Sequence, residues 1–516
     1  MRSHEEEILL AGGKNGPVTK VMSNGNNGEI EKSPFIAKPV RLTPAWEANN
    51  LPNDELNFRG MTMERAKLEI NPPYDRLNII YFILLLHGVG TLMPWNMFIN
   101  AKDYFVEYKL HQNYTNVTTE YGKNFMPYLG LAAQIPNVIF NWLNIFLNLG
   151  GSLTPRIVWS IIVEVLVFIF TVALAMIDTI EWPGPFFWIT MTSVVILNTA
   201  GGIYQNSVYG MAAKLPFKYT GAVVLGSNIS GTFTSIISIL SSTFSSSFRT
   251  AAIYYFIGAM FVLLACFDTY FALPLNRFYR YHELMHEKET EKAIKMGASA
   301  NSRPPYWQIF KQAFPQLFNI FFVFFITLAL FPAVQSDIKM SDENFIIPKN
   351  LYTSVLCFLT FNTCAMLGSL TTSWVQWVNS IHFITVQRFA KSVFQCLFDS
   401  MFVFSFQPKK EFLVWPVLLR VVFIPLFVFC NYMPKDTVRV LPIYITNDWV
   451  YWAIGITMGY TSGYFSSLGM MYAPQTVAPQ YASTAGMFAA AMLITGIFLG
   501  ILSSVVFPYI VANVSW

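Results

Sequence analysis

Apolar segments of roughly 20 residues recur along this chain, and each is long enough to cross a hydrocarbon core of about 30 Å as a helix. We place them near residues 77–99, 125–148, 157–178, 185–210, 219–243, 251–274, 315–335, 351–377, 412–431, 448–470 and 484–512. Only 12% of the residues are charged and 54% are hydrophobic, whereas a water-soluble chain carries roughly a quarter charged residues. The pattern predicts an all-α polytopic membrane protein with about eleven transmembrane helices, embedded in a lipid bilayer.

The apolar segments fall into two blocks. Six spans occupy residues 73–275, a polar cytoplasmic loop follows at 276–312, and five spans occupy residues 313–516. This six-plus-five order predicts two helical bundles that rock about a shared central cavity. Residues 1–72 are polar and rich in Gly, Asn and Pro, which predicts a disordered cytoplasmic tail without a cleaved signal peptide.

The orientation of the chain follows from the charges of its loops. The loop after span six is strongly basic, and the short loop after span four carries Lys214 and Lys218. By parity both loops share a side with the N-terminus, which the positive-inside rule makes cytoplasmic, so the C-terminus is expected outside. The 100–124 loop is then external, and it holds glycosylation sequons at Asn113 and Asn116. The loop after span nine, with Arg439, runs against the rule.

The first span contains residues that an ordinary lipid-facing helix does not favour. Gly88 and Gly90 permit close packing, Pro94 removes a backbone donor, and Trp95 and Asn96 put a large ring and an amide at membrane depth. Amides at this depth are tolerated against other protein or a water-filled cavity. The pattern predicts a first helix that lines a cavity.

Spans two and four carry further amides. Gln134, Asn137, Asn141 and Asn144 recur every three or four residues, which places them on one face of a helix, and Gln205 lies near a glycine pair in span four. Two interpretations are open, a lining of the cavity and polar contacts between helices, and we favour the lining. Amides, hydroxyls and aromatic rings suit a neutral polar ring compound such as a nucleoside.

Three ionisable residues lie at membrane depth, and each is a candidate for a gating, proton or charge role. His87 is either a proton-sensing residue or a neutral, hydrogen-bonded one. Glu164 is either a counter-charge for a cationic substrate or a protonated group in helix packing. For Arg420 we expect neutralisation of a partner or snorkelling toward the membrane surface.

Several motifs resemble those of one transporter family. The run Gly88–Asn96 (Gly-Val-Gly-Thr-Leu-Met-Pro-Trp-Asn) is similar to the first-helix signature of the equilibrative nucleoside transporters. Gln205–Gly210, Phe358–Asn362 and Thr457–Tyr464 also look like this family, in the family's order. The resemblance covers most of the chain from Tyr74 onward. It implies a major-facilitator-like fold reduced to eleven helices, and facilitated transport of purine and pyrimidine nucleosides by alternating access.

The resemblance also implies a substrate site. By motif position the residues that would line the cavity are Leu92, Trp95, Ile99, Gln134, Asn137, Gln205 and Asn362. Among them Leu92 and Trp95 would pack on the base and Gln205 would hydrogen-bond it. The chain departs from the family in span eight, where Ala365 and Ser369 stand in place of an Asp and an Arg that face the substrate. Restoring the pair is expected to raise nucleoside uptake.

The segment 378–407 does not fit the pattern of spans. It begins with Val, whose codon starts with GT, and it ends Phe-Ser-Phe-Gln, which a pyrimidine tract closing in CAG would encode. Lys391 and Asp399 interrupt its apolar part, which is too short for a span. A retained in-frame intron is our hypothesis, and a genuine cytoplasmic insertion is the alternative.

The destination of the protein is open between two membranes, the plasma membrane and the endosomal or lysosomal membrane. The tail run Glu5-Glu6-Glu7-Ile8-Leu9-Leu10 has the form of an acidic dileucine signal, which a sorting adaptor would bind. A chance match in a polar tail is the alternative.

The sequence lacks the motifs of several other function classes. We find no His-Glu-x-x-His, no paired catalytic acids and no Gly-x-Ser-x-Gly, so an enzyme is not expected. The five cysteines have no metal-ligand spacing, so neither a metal nor a cofactor is expected, and a formal charge of +4 does not suggest nucleic acid. The rivals to a nucleoside carrier are an organic-cation or nucleobase carrier with Glu164 as counter-charge, and a receptor that does not transport.

Overall fold

The computed structural model describes residues 73–102, 104–115, 120–123, 125–147, 153–244, 247–295, 304–349, 351–377, 410–434 and 438–514. The predicted tail with Glu5–Leu10, the sequon residue Asn116 and the segment 378–407 lie outside these ranges. Within them the regular structure is helical, apart from two isolated bridges between extended residues. The predicted all-α class is confirmed.

The long helices are labelled α1 to α11 in chain order. The first half contains α1 (Ile79–Asn100), α2 (Phe125–Phe146), α3 (Leu153–Met176), α4 (Pro183–Ala212), α5 (Lys218–Phe244) and α6 (Phe248–Ala272). The second half contains α7 (Tyr306–Leu330), α8 (Thr360–Trp377), α9 (Val414–Val428), α10 (Asp448–Tyr472) and α11 (Ala482–Ser504). A π-helical turn, Thr353–Leu359, leads into α8, and a short helix, Val506–Asn513, follows α11.

Most of these helices have the length and apolar character of membrane spans. In the described part of the chain, eight helical segments are long and apolar enough to cross a membrane. Three labelled helices remain. Val414–Val428 (α9) is apolar but shorter, whereas α2 and α10 have 22 and 25 residues and carry more polar side chains. The composition of α2 and α10 is therefore that of helices that face protein or water on one side.

The polar loop between the halves also contains a helix. Arg277–Lys295, here called the loop helix, occupies the first part of the predicted 276–312 loop, and α7 already begins at Tyr306. The difference arises because Tyr306 to Phe314 continue the helical pattern of the apolar run although they include Gln308 and Lys311.

The ninth span differs from the prediction. Instead of one helix over 412–431, α9 consists of two six-residue helices joined by a 3-10 turn at Arg420–Val422. Pro416 and Pro425 lie within these pieces, and a proline removes one backbone donor and crowds the preceding turn. The apolar run is long enough for a span, but its prolines divide the helix.

The halves are built from pairs of helices and joined by α5 and α11. In the first half α1 lies along α5 and α6, and α4 contacts α2 and α3. In the second half α7 packs along α11 and α8 along α10. Across the middle, α5 contacts α8 and α10, while α11 contacts α2 and α4. These crossings define the seam between the halves.

Glycines set the spacing of the tightest helix pairs. A Cβ atom on Gly226 of α5 would lie 2.9 Å from the backbone nitrogen of Val89 in α1. A Cβ on Gly463 of α10 would lie 2.8 Å from Cα of Ala365 in α8. Small residues allow the backbones of membrane helices to approach closely. Van der Waals packing then stabilises the helix pair, because the hydrophobic effect does not drive helices together within lipid.

Arg439, which did not fit the charge pattern of the loops, is engaged by backbone groups. Its guanidinium donates hydrogen bonds of 2.7 to 3.0 Å to five carbonyls, those of Val428, Cys430, Tyr432, Leu441 and Pro442. These carbonyls belong to the end of α9 and the segment that follows it. The residue therefore holds this segment together, which explains a basic residue at a position that topology does not favour.

Replacing Arg439 by Met is expected to lower the stability of the purified protein by about 3 kcal/mol, because hydrogen bonds to a charged group are stronger than neutral ones and the carbonyls lose their donor. The measurement is the thermal unfolding midpoint in detergent. Lys339→Met is the matched control, since the Lys339 side chain is exposed and also lies outside the helices. Equal midpoints for the two variants would contradict the role of Arg439.

Candidate functional site

Polar contacts between described residues cross the seam between the halves. Asn228 donates to Ser369 Oγ at 2.6 Å, Asn362 to Ser235 Oγ at 3.0 Å, Asn206 to the Met487 carbonyl at 2.8 Å, and Trp142 Nε1 to Thr495 Oγ1 at 2.9 Å. All of the groups involved are amides, hydroxyls, an indole N–H or a backbone carbonyl. An uncharged polar lining of this kind can hydrogen-bond a neutral solute without holding a strong ion.

The first helix contributes its proline–tryptophan–asparagine corner to the first half. Pro94 lies inside α1, and Trp95 packs half-buried against the hydrophobic core of the first half. Asn96 donates to Ser230 Oγ of α5 at 3.1 Å. Leu92 and Ile99 are half-buried. The amide at membrane depth is therefore bonded to protein, as its cost in lipid requires.

Asn362 is brought against α5. Besides Ser235 it donates to the Phe358 carbonyl of its own helix, 3.0 Å away. Its side chain also lies directly against Gly231 of α5. Asn96, one helix away, bonds Ser230, the neighbour of Gly231. The structure thus brings the predicted residue Asn362 and the α1 corner to adjacent positions on α5.

The predicted amides of α2 meet α4. Asn137 lies against Gly202 of α4, where a Cβ atom would be 3.0 Å from Asn137 Oδ1. Asn141 donates to that same Oδ1 at 2.8 Å. Gln134 is only 5% exposed, and its Oε1 has no hydrogen-bond partner among the described residues. A buried acceptor without a donor is costly, so this atom is a position where a bound solute or water can donate.

Gln205 lies on the same side of α4 as Gly202, three residues further along, and is 3% exposed. The predicted residues Gln134, Asn137 and Gln205 are therefore held by one helix pair, α2 and α4. Leu92, Trp95, Ile99 and Asn362 are held by α1 and α8, on either side of α5.

Asn144, the last amide of the predicted face, connects helices. Arg156 of α3 donates to the Asn144 carbonyl and to its Oδ1, at 2.8 and 3.1 Å. Asn144 in turn donates to Asn206 Oδ1 and Ser207 Oγ of α4, at 2.9 and 3.1 Å. The interpretation as helix–helix contact therefore holds for Asn144, and cavity lining for the whole set is wrong at this residue.

Arg420 does not snorkel. Its side chain is 2% exposed, and it donates to the Met458 carbonyl, to Thr461 Oγ1 and, at 2.7 Å, to Thr327 Oγ1. The expectation of a head group at the membrane surface is wrong, because hydroxyls and a carbonyl of α7 and α10 solvate the guanidinium inside the second half. Its role in the described conformation is to join α7, α9 and α10.

Ala365 and Ser369, the two departures from the family pattern, are enclosed at the seam. Ala365 is 2% exposed and Ser369 is fully buried. Ser369 accepts the hydrogen bond of Asn228 and donates to the Gly463 carbonyl at 3.2 Å. A neutral contact between α5, α8 and α10 thus occupies the place of the family's Arg.

A cavity of about 430 Å³ lies at the end of the seam next to the loop helix. The 213–220 segment, the loop helix and the 471–482 segment line it, so both halves contribute. Burial lowers the pKa of His286 in this cavity to about 4, and the neighbouring Lys214 adds to the effect. His286 is therefore neutral at physiological pH, and its ring is hydrogen-bonded to the backbone of Pro479.

Sequence reasoning missed Asn228 and Ser235, which make two of the seam contacts. The two residues are seven apart, with Gly231 between them at helical spacing. A polar stripe at positions 228, 231 and 235 was thus present as a signal. It was hidden because α5 carries small and hydroxyl residues on more than one face.

A sequence model of the family described as nucleoside transporter matches residues 191–404 and 397–509, more than half of the chain. The chain belongs to the nucleoside transporter family. The two matched stretches overlap at 397–404, inside the segment 378–407 that the pattern of spans sets apart.

Curated relatives align over nearly their whole length. Human equilibrative nucleoside transporter 1 is 29% identical over 483 residues, which cover 85% of this chain and 99% of the relative. Rat equilibrative nucleoside transporter 3 is 25% identical over 469 residues, which cover 87% and 92%. The relationship therefore includes both halves of this family member.

The fold is also seen in a solved structure. The major facilitator superfamily proton:xylose symporter XylE superimposes with a TM-score of 0.53 at 11% identity, over 85% of this chain and 90% of that one. This likeness concerns the fold alone. It confirms the predicted major-facilitator-like fold.

Proposed function

We propose that this transporter carries nucleosides across a membrane down their concentration gradient, by alternating access to the seam between its halves. The observation that carries the proposal is the neutral polar seam in a member of the nucleoside transporter family. A nucleoside is neutral and presents donors and acceptors on both base and ribose, so uncharged amides can replace its hydration. The relatives are named as transporters, which supports a carrier without enzymatic activity.

We assign the substrate contacts to the two helix groups at the seam. Trp95 and Leu92 would pack on the base, with Ile99 beside them, and Gln205 would hydrogen-bond it. Gln134 supports this assignment, since its Oε1 is enclosed without a donor. Asn137 and Asn362 would complete the lining from α2 and α8.

A carrier for organic cations is less well supported by the geometry. Such a substrate requires a counter-charge that faces the path, and Glu164 is the candidate residue. Its side chain is 0% exposed inside the first half. The described conformation therefore offers no access of a bulky cation to this carboxyl.

We infer a plasma-membrane location with the N-terminus inside and the C-terminus outside. The basic loop helix and Lys214 lie at one end of the molecule, and the helical turn with Asn113 follows the opposite end of α1. Glycosylation of Asn113 or Asn116 would place that end outside the cytosol. An endosomal or lysosomal membrane, reached through a sorting adaptor at Glu5–Leu10, is the alternative.

The proposed function is tested with purified protein in liposomes. Radiolabelled uridine and adenosine are expected to enter until the internal and external concentrations are equal, with and without a pH gradient. Specific binding without entry would favour a receptor. If tetraethylammonium or free uracil entered the liposomes and neither uridine nor adenosine did, the substrate class would be organic cations or nucleobases and not nucleosides.

Gln205→Leu is expected to lower kcat/KM for uridine about tenfold, since one hydrogen bond to a buried polar solute is lost at a cost of roughly 1 to 2 kcal/mol. The loss should appear mainly in KM. Ser193→Ala is the matched control on α4, because Ser193 bonds only the Thr190 carbonyl of its own helix among the described contacts. Unchanged uptake kinetics in Gln205→Leu would remove this residue from the site.

A further inference from the structure

Four helices of the first half enclose titratable side chains that the proposed substrate path does not use. They are His87 of α1, Glu164 of α3, Tyr204 of α4 and Cys266 of α6, and each is 0% exposed. His87 Nδ1 and Tyr204 Oη lie 2.8 Å apart, within hydrogen-bond distance. The Cys266 thiol donates to the Leu86 carbonyl at 3.4 Å.

Glycines bring the members of this cluster together. At Gly201 of α4 a Cβ atom would lie 3.2 Å from Glu164 Oε1, so the carboxyl reaches the backbone of the neighbouring helix. At Gly90 of α1 a Cβ would lie 2.7 Å from Cys266 Sγ and 3.2 Å from Tyr204 Oη. The cluster therefore lies at the common contact of α1, α3, α4 and α6, with no room for a side chain between them.

Three polar atoms of the cluster have no hydrogen-bond partner among the described residues. They are His87 Nε2 and both carboxyl oxygens of Glu164. A polar histidine nitrogen and a whole carboxyl group without partners are unusual in a protein interior, where buried polar groups are normally paired.

Among the described residues, the groups that face the cluster do not supply a counter-charge. Tyr204 and Cys266 are neutral, and Tyr270 of α6 meets the His87 ring edge-on at 6.1 Å between centroids. From α5, Ser227 bonds backbone carbonyls of α1 and its own helix. The nearest cation along α3, Arg156, is bound to Asn144 two turns away.

We propose that Glu164 and His87 form a proton-binding site, and that the conformational cycle of the transporter is linked to pH through this site. An ionised carboxylate enclosed without a partner costs several kcal/mol, so the described conformation holds Glu164 as the neutral acid. A conformation that admits water lets the Glu164 O–H bond break. The electron pair stays on the carboxylate and the proton passes to water.

The proposal rests on the proposed transport function and adds the direction of its pH dependence. Because the described conformation binds one proton more than a hydrated one, acid favours it and alkali favours the alternative. Nucleoside exchange should therefore change with pH, although the nucleosides themselves carry no charge near neutrality.

The first test is uridine exchange in liposomes held at equal pH on both sides, between pH 5.5 and 8.0. In the unmodified protein the exchange rate is expected to change at least threefold over this range. Glu164→Gln, which keeps the shape of the neutral acid but cannot ionise, should show a flat profile. Glu181→Gln is the matched control, because Glu181 is exposed in the loop between α3 and α4. A pH profile of Glu164→Gln equal to that of the unmodified protein would overturn the site.

A second measurement does not depend on transport. The unfolded chain releases the Glu164 proton near the ordinary range of a glutamate, about pH 4.3, whereas the enclosed acid keeps it. The thermal midpoint of the unmodified protein should therefore fall as pH rises from 5.5 to 8.0, and less steeply in Glu164→Gln than in Glu181→Gln. Equal slopes in the two variants contradict the site. A Glu164-dependent slope without any nucleoside flux would instead refute the transport function and retain the site.

If Glu164→Gln yields too little folded protein, Tyr204→Phe replaces it. This variant removes the hydroxyl that contacts His87 Nδ1 and leaves the ring in place. The midpoint of the exchange profile should then shift along the pH axis. An unshifted midpoint would show that His87 is not coupled to the proton.

Discussion

Gly226→Ala is expected to yield almost no folded transporter. The added Cβ would meet the backbone of α1 at Leu85 and Val89. Backbone atoms cannot move aside like the end of a flexible side chain, so α1 and α5 must separate along their length. We expect a destabilisation of more than about 3 kcal/mol, at the upper end of what overpacking costs. The measurement is the monodisperse fraction of detergent-solubilised protein in size-exclusion chromatography.

The matched control is Gly258→Ala in α6, where a Cβ would meet nothing within 4 Å. Alanine there should preserve or slightly raise stability, because glycine is the poorer helix former by about 1 kcal/mol. Equal yields of the two variants would mean that α1 and α5 do not touch as described.

Ser369→Arg alone is expected to reduce nucleoside uptake at least tenfold. The guanidinium would replace a fully buried hydroxyl that bonds Asn228 and the Gly463 carbonyl. A buried charge without a partner costs about 3 to 5 kcal/mol. The readout is the initial rate of uridine uptake, normalised to folded transporter at the membrane.

Adding Ala365→Asp should restore uptake and raise it above that of the unmodified protein. The acid lies four residues before the arginine on α8, so the two side chains can pair on one helix face. Asn228→Ala removes the existing hydrogen bond to Ser369 without adding charge. This variant therefore separates the effect of losing the hydrogen bond from the effect of the buried charge. Uptake in the double variant no better than in Ser369→Arg alone would show that this pair does not border the substrate.

Much of the fold could be predicted from the sequence, because the thickness of a bilayer sets the length of every apolar run. The runs located nine of the eleven labelled helices to within several residues. They failed at α9, where Pro416 and Pro425 divide the helix, and at α7, which begins at Tyr306 ahead of the apolar run. In both places the mean hydropathy of the segment does not indicate where the helical backbone hydrogen bonds begin or end.

The candidate site was predictable in its composition and less so in its connections. The periodicity of α2 placed Gln134, Asn137 and Asn144 on one face. It could not show that the Asn144 side chain is hydrogen-bonded to Arg156 and Asn206. Nor could it pair Asn228 with Ser369, 141 residues away in the chain. A periodic pattern indicates the helix face on which a side chain lies, but not the residue that the side chain contacts.

The sequence by itself determined that this chain is a helical membrane protein in two blocks, with amides at membrane depth and the motifs of one transporter family. Span length and periodicity are local properties, because they depend only on residues that are close together in the sequence. Only the tertiary structure decided which amides bond one another across the seam, that Arg420 is enclosed, and that Glu164 and His87 are both buried among helices of the first half. Those outcomes depend on distances between helices, which close approach at a few glycines sets and which no local pattern contains.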